Sequence, residues 1–144
     1  INDIDKQIVN LLYLDGQTSN AELARKIGLS APSVSERIHR LEDIGVVAGF
    51  SLKVEPKALG FPLAAYIRIR PMPGNYRKTA VFMTTLDPVV ECRRVTGEDC
   101  FIATAHLRSI EELEAVIDEI ITFATTNTSI LQSTAVPRRT RLLA

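Results

Sequence analysis

The residues best placed for chemistry lie on one short segment near the start of the chain. At about 100° per residue, Pro32, Ser35, Glu36 and His39 share one helical face, opposite an apolar stripe of Val34, Ile38, Leu41 and Ile44. Small hydroxyls and a histidine near the N-terminus of an exposed helix can reach base edges or phosphates in a DNA major groove without bulk. Ser30 and Ser33 stand at the head of the same segment. Arg37 and Arg40 sit on its flank, where they suit phosphate contact or an ion pair with Glu42, Asp43 or an acid of an earlier helix. Ser30, Pro32, Ser33, Ser35, Arg37, His39 and Arg40 are therefore the candidate DNA contacts, and the plainer alternative is a solvated helix face.

Other chemistries find little support. Cys92 and Cys100 cannot build a disulfide framework, and with only His39 and His106 beside them a Cys/His metal cage is not expected. Both thiols read as reduced, buried small hydrophobes of a cytoplasmic protein. No nucleophile–base pair, phosphate loop or carboxylate dyad can be picked out, so no catalytic residue is assigned and an enzyme is not expected. No cofactor is called for.

Three helices must position the candidate face. Ile4, Ile8, Leu11 and Leu12 make one amphipathic stripe, ended by Asp15-Gly16. Ser19 with Glu22 is a capping box opening a second helix, whose inner face is Leu23, Ala24 and Ile27 and whose end is Gly28. Leu29 anchors the turn, and Ser30 caps the third helix, with Pro32 in its first turn and Gly45 closing it. Two short helices joined by Gly-Leu-Ser form a helix-turn-helix. The charge of this head is unhelpful. Residues 1–50 hold five basic side chains (Lys6, Arg25, Lys26, Arg37, Arg40) against seven acidic ones (Asp3, Asp5, Asp15, Glu22, Glu36, Glu42, Asp43), a net of −2. DNA binding then requires concentrated cations on one face and two or more heads acting together.

The whole chain of 144 residues is 46% apolar and 24% charged, ordinary globular usage. Its 17 basic and 17 acidic residues cancel, which excludes a grossly basic polyanion binder. The longest apolar stretches, such as 61–67, are too short to span a bilayer, so no membrane partner is expected. No signal peptide is seen, and Ile1 in place of Met points to a few missing leading residues.

Beyond the head, Phe50, Leu52 and Val54 alternate with Ser51 and Lys53 as a strand would. The expected division is a helix-turn-helix domain over 1–47, a linker strand over 48–60 and a second domain over 61–144. The second domain reads strand (Leu63–Arg70), helix (Tyr76–Leu86), strand (Val89–Val95), strand (Cys100–Leu107), helix (opened by Ser109 with Glu112) and a Thr-rich strand (Thr126–Ser133). The last helix carries Ile110, Leu113, Ile117, Ile120, Ile121 and Ala124 on one stripe. Arg138, Arg139 and Arg141 make a basic tail, read as a solvated end. The fold class is thus α+β, a helix-turn-helix head with a ferredoxin-like βαββαβ domain. Both faces of its central strands carry apolar or small residues, so a second copy is expected to cover the face that the helices leave open.

At this point whole segments become recognisable. Asp3-x-Asp5-x-x-Ile8, Leu23-Ala24-x-x-Ile27-Gly28-Leu29-Ser30 and Val34-x-x-Arg37-Ile38-x-Arg40-Leu41-Glu42-x-x-Gly45-Val46 in the head are followed by Glu91-Cys92, Val95-Thr96-Gly97-Glu98-Asp99-Cys100-Phe101 and Thr128-Ser129-Ile130. In order and spacing the chain resembles the Lrp/AsnC, or feast/famine, transcription regulators. The resemblance implies a winged or helix-turn-helix head on double-stranded DNA, a ferredoxin-like sensing domain, and homodimers assembling to octamers. It also implies an amino-acid effector bound between subunits. Many members carry an acid where this chain has Cys100; here the acids are Glu98 and Asp99.

The effector site is accordingly expected at Thr96, Gly97, Glu98, Asp99 and Cys100, with Thr126 and Thr128 nearby. Backbone N–H groups around Gly97 can receive a carboxylate, and Glu98 or Asp99 an ammonium. Nothing else polar there asks for a charged side chain, which favours an apolar amino acid such as leucine or methionine. Two alternatives stay open: a tetrapyrrole decarboxylase-like enzyme of similar architecture, for which only His106 is available, and a ligand-binding module whose head contacts protein.

Overall fold

The computed structural model describes residues 1–142, and the chain falls into two units: Ile1–Lys53 together with the chain from Arg138 on, and Val54–Pro137. The basic tail, expected as a solvated end of the second domain, is placed with the head.

The first unit is built from α1 (Asp3–Leu14), α2 (Asn20–Ile27) and α3 (Ala31–Asp43). Asn2 caps α1 reciprocally: its Oδ1 accepts from the Asp5 N–H at 2.9 Å, and the Asp5 carboxylate accepts from the Asn2 N–H at 3.2 Å. Ser19 caps α2 by accepting from the Glu22 N–H, but Glu22 does not return the bond. Its carboxylate lies instead 3.8 Å from Lys26, one turn on. Gly28 leaves α2 at φ +84, a left-handed conformation that side chains resist, and this makes the turn into α3. Past Asp43, Val46 N–H reaches Leu41 O and Gly45 N–H reaches Glu42 O, the paired bonds of a Schellman motif. Ile8, Leu12, Leu23, Ala24, Val34, Ile38 and Leu41 form the core, with Leu29 and Val47 packed at its edge. Ile44, expected on that stripe, is the cap residue and is exposed.

The second unit is a four-stranded antiparallel sheet of order β2-β3-β1-β4, from β1 (Leu63–Pro71), β2 (Val89–Arg94), β3 (Phe101–Leu107) and β4 (Ala124–Ile130). The helices α4 (Tyr76–Met83) and α5 (Ile110–Ile120) are the crossovers of the ferredoxin-like arrangement. Ala65, Ile67 and Ile69 of β1 and Phe101, Ala103, Ala105 and Leu107 of β3 are buried with Met83, Leu113, Val116 and Ile120 of the helices. The alternate residues Tyr66 and Ile102 stay exposed on the other face.

Several expectations need correcting. The 48–60 segment carries no strand; Pro56–Leu59 is a short 3-10 turn, and Phe50, Leu52 and Val54 are exposed. Alternation alone does not make a strand without a ladder partner, and none lies beside it among the described residues. The helix expected to Leu86 ends at Met83, because Thr84 and Thr85 hydroxyls donate to the Val81 and Phe82 carbonyls of its last turn. The helix after Ser109 ends at Ile120, and Ala124 leaves its stripe to pair with Pro71 in β4, which closes at Ile130 rather than Ser133. Ile110 and Ile121 are exposed at the two ends of α5, while Val116 takes a buried place on the stripe.

Candidate functional site

Most of the candidate DNA-contacting residues lie along α3. Ser30 is spent on the cap: its Oγ accepts from the Ser33 N–H at 3.3 Å. The core stripe Val34, Ile38 and Leu41 turns Glu36, His39 and Arg40 outward. His39 Nδ1 lies 2.8 Å from the Ser35 carbonyl oxygen. A carbonyl only accepts, so Nδ1 donates in this contact, and Nε2 is the ring nitrogen not engaged by it. Ser33, Glu36, Arg37, His39, Arg40 and Asp43 form one open stretch of surface along α3.

Both flank arginines are ion-paired, and with an acid of the first helix. Asp5, only 2% exposed, lies beneath them. Its Oδ1 accepts from Arg37 Nη1 at 3.1 Å and Arg40 Nη2 at 3.1 Å, and its Oδ2 from Arg40 Nη2 at 2.9 Å. Arg37 is mostly covered, with 23% of its side chain exposed, whereas Arg40 keeps 56% exposed. Burial pushes the Asp5 carboxyl upward, but hydrogen bonds from Asn2 and Arg37 and the charges of Arg40 and Arg37 outweigh it, leaving the pKa below its ordinary 3.8. The pattern Asn2-x-x-Asp5 is a capping-box signature and could have singled out this acid in advance.

The second candidate cluster is the loop between β2 and β3. Val95 N–H to Cys100 O at 2.8 Å closes it, and Gly97 carries φ +107, which favours glycine. Tyr76 of α4 stacks on Phe101 at 5.2 Å, and the Arg94 guanidinium lies 4.2 Å above the Tyr76 ring, so both feet of the loop are pinned. Glu98 and Asp99 face Arg70 of β1, at 2.7 Å and 3.7 Å. Arg70 was not foreseen, since nothing local in the sequence ties it to residues 28 positions away. Cys100 is half-buried against the core, its thiol 3.9 Å from the Glu98 carbonyl oxygen. Half-buried Cys92 lies on the helix side of β2, and burial pushes its thiol pKa up.

Thr126 and Thr128 are not brought to this loop within one copy. Thr126 pairs with Ile69 and Ile69 with Phe101, which sets Thr126 two strands, about 10 Å, from the start of β3. Both threonines share the helix-covered side with their partners Ile69 and Ile67, and the Thr128 hydroxyl is buried with no partner among the described residues. Among these residues no three His, Cys, Asp or Glu side chains are grouped to hold a metal. No helix is long and apolar enough to cross a membrane.

A helix-turn-helix head joined to a ferredoxin-like domain with its own candidate ligand loop defines a DNA-binding regulator of the sensing kind. Comparison with known proteins agrees. Residues 1–48 match winged helix-turn-helix DNA-binding domains, and residues 64–141 match the Lrp/AsnC ligand binding domain. The HTH-type transcriptional regulator LrpC of Bacillus subtilis (strain 168) is 32% identical over 133 residues, 92% of this chain and 92% of LrpC. The solved structure of LrpC matches with a TM-score of 0.89 at 30% identity, covering 96% of this chain and 99% of that one. A feast or famine regulatory protein from M. tuberculosis, solved in complex with L-methionine, matches with a TM-score of 0.90 at 31% identity over 99% of both chains. The chain belongs to the Lrp/AsnC family of transcription regulators. Relatives named as transcriptional regulators do not favour the decarboxylase-like alternative.

The Asp5 geometry fixes a pH dependence. A carboxyl whose folded pKa is depressed adds stability that is fully present above its unfolded value and is lost as pH falls through the folded one. Asp5→Asn should lower stability by about 1–3 kcal/mol at neutral pH. Urea melts of both proteins should show this gap constant down to about pH 3.8 and closing below it. An equal gap at pH 7 and pH 2.5, or none at pH 7, contradicts the assignment.

Proposed function

We propose that the chain is a cytoplasmic regulator whose paired heads lay α3 in the DNA major groove and whose response is set by an apolar amino acid at the Thr96–Cys100 loop. The carrying observation is the held face of α3: Glu36 and His39 are exposed while Asp5 fixes the arginines beside them. His39 Nε2, not engaged by the Ser35 carbonyl, suits a hydrogen-bonding group on a base edge. Arg40 has its Nε and Nη1 uncommitted to Asp5 and reaches phosphate, whereas Arg37 positions the helix.

The complex of the M. tuberculosis relative with L-methionine supports an amino-acid effector. The loop's own charges suggest how a zwitterion enters. The effector ammonium takes Glu98, and the released Arg70 takes the effector carboxylate, so one ion pair becomes two with no net charge added. Arg70 faces both Glu98 and Asp99, a local net of −1, which disfavours an acidic effector side chain and suits a neutral one such as leucine or methionine. A Cβ at Gly97 meets nothing within 4 Å in one copy. That open side is where a neighbouring subunit closes the site. Dimers form through the sheet face of Tyr66 and Ile102, and further assembly leads to octamers.

DNA binding by four variants tests the head. Arg40→Ala should weaken binding to every duplex and lower the salt slope by less than the roughly 1 per head of a free cation. Ser35→Ala and His39→Ala should alter sequence preference more than affinity, and Arg37→Ala should cost mainly stability. Operator affinity and preference unchanged in all four would remove α3 from the interface.

Assembly and effector binding are read together by sedimentation and calorimetry. The wild-type chain should be at least dimeric at tens of micromolar and bind leucine or methionine. Gly97→Val and Arg70→Gln should keep the assembly and lose that binding. A monomeric chain defeats the assembly argument, and undiminished binding by both variants moves the site elsewhere.

A further inference from the structure

We propose that the C-terminal arginines, docked on the head through Tyr13, form part of its DNA-binding surface; this rests on the DNA-binding reading of that head. The head is short of free cations. Lys6 lies 3.8 Å from Asp3, Lys26 lies 3.8 Å from Glu22, and Arg37 and Arg40 lie 3.1 and 2.9 Å from Asp5. Of the basic residues up to Lys53, only Arg25 and Lys53 have no acidic partner among the described residues. A cation already balanced by a carboxylate releases less counterion from DNA than a free one, so this head by itself is a weak phosphate binder.

The tail supplies what is missing. Arg138, Arg139 and Arg141 are exposed, and none has an acidic partner among the described residues. The backbone N–H of Thr140, between the last two, donates to the Tyr13 phenol oxygen at 2.7 Å across 127 residues of sequence. Tyr13 stands in the last turn of α1, so the bond fastens the middle of the arginine trio to the helix that also carries Asp5. Up to Lys53 the side chains hold six basic and seven acidic groups, a net of −1, and three arginines turn this to +2. Guanidinium forks match phosphate oxygens in pairs, and a duplex offers a closely spaced row of phosphates.

The test is binding of the full-length protein to a labelled random-sequence duplex across a series of KCl concentrations. Removing all three arginines (Arg138→Ala, Arg139→Ala and Arg141→Ala together) should flatten log K against log[KCl] by about 2–3 per head and weaken binding roughly tenfold or more. Tyr13→Phe, which deletes only the acceptor, should fall between this variant and the wild type. Lys57→Ala, Arg77→Ala and Lys78→Ala combined remove the same charge from exposed sites of the second unit and should leave the slope unchanged. Wild-type protein that fails to bind any duplex overturns the reading of the head itself. Wild-type binding with an unchanged slope in the tail variant, an equal loss in the second-unit variant, or Tyr13→Phe indistinguishable from wild type overturns the tail's role.

Discussion

The head depends on a single buried carboxylate. Apolar packing of Val34, Ile38 and Leu41 against Ile8 and Leu23 settles which stripe of α3 turns inward, but burial of apolar surface is non-directional and tolerates some roll and slide. Asp5 removes that freedom. Its two oxygens are divided among Arg37, Arg40 and the Asn2 backbone, so the acid that caps α1 also fixes α3 at two points one turn apart. A lone carboxylate at 2% exposure is costly to bury, and here two guanidinium partners offset that cost. The core stripe turns His39 outward, and the clamp holds α3 in that setting.

Rigidity bought this way draws on the cations that a DNA-binding surface needs. Both arginines nearest the exposed face serve Asp5 first, and the head up to residue 50 is net acidic. Such a head gains useful affinity by being held in multiple copies or by borrowing charge from elsewhere in the chain. The second unit shows the same economy, with Arg70 holding Glu98 and Asp99 across the end of the sheet. There the ion pair is exposed and weak.

What could be read from the sequence was what local chemistry determines. The caps Ser19, Ser30 and Ser109, the exits Gly28 and Gly45, and the alternating Leu63–Arg70 run signal their elements within a few residues of themselves. The order βαββαβ then leaves few topologies, and the sheet order β2-β3-β1-β4 is the ferredoxin-like one. What escaped depends on distant partners. Phe50, Leu52 and Val54 alternate like a strand, yet no ladder partner lies beside them among the described residues. Arg70 meets Glu98 only because β1 and β3 are paired in this register, and Thr140 meets Tyr13 only in the folded chain. Thr126 and Thr128, expected near the loop, are two strands from the start of β3 within one copy.

The central claim is that Asp5 sets the direction of the reading face. It is tested most directly by comparing, for wild type and Asp5→Asn, the ratio of affinities for a duplex selected by the wild-type protein and for a random duplex. The variant keeps the apolar core of the head and should remain folded below its melting temperature. Its two freed arginines should leave random-duplex affinity equal or higher, while the ratio falls by about tenfold or more, as when base contacts are lost. An Asp5→Asn protein that discriminates as well as wild type would contradict the account.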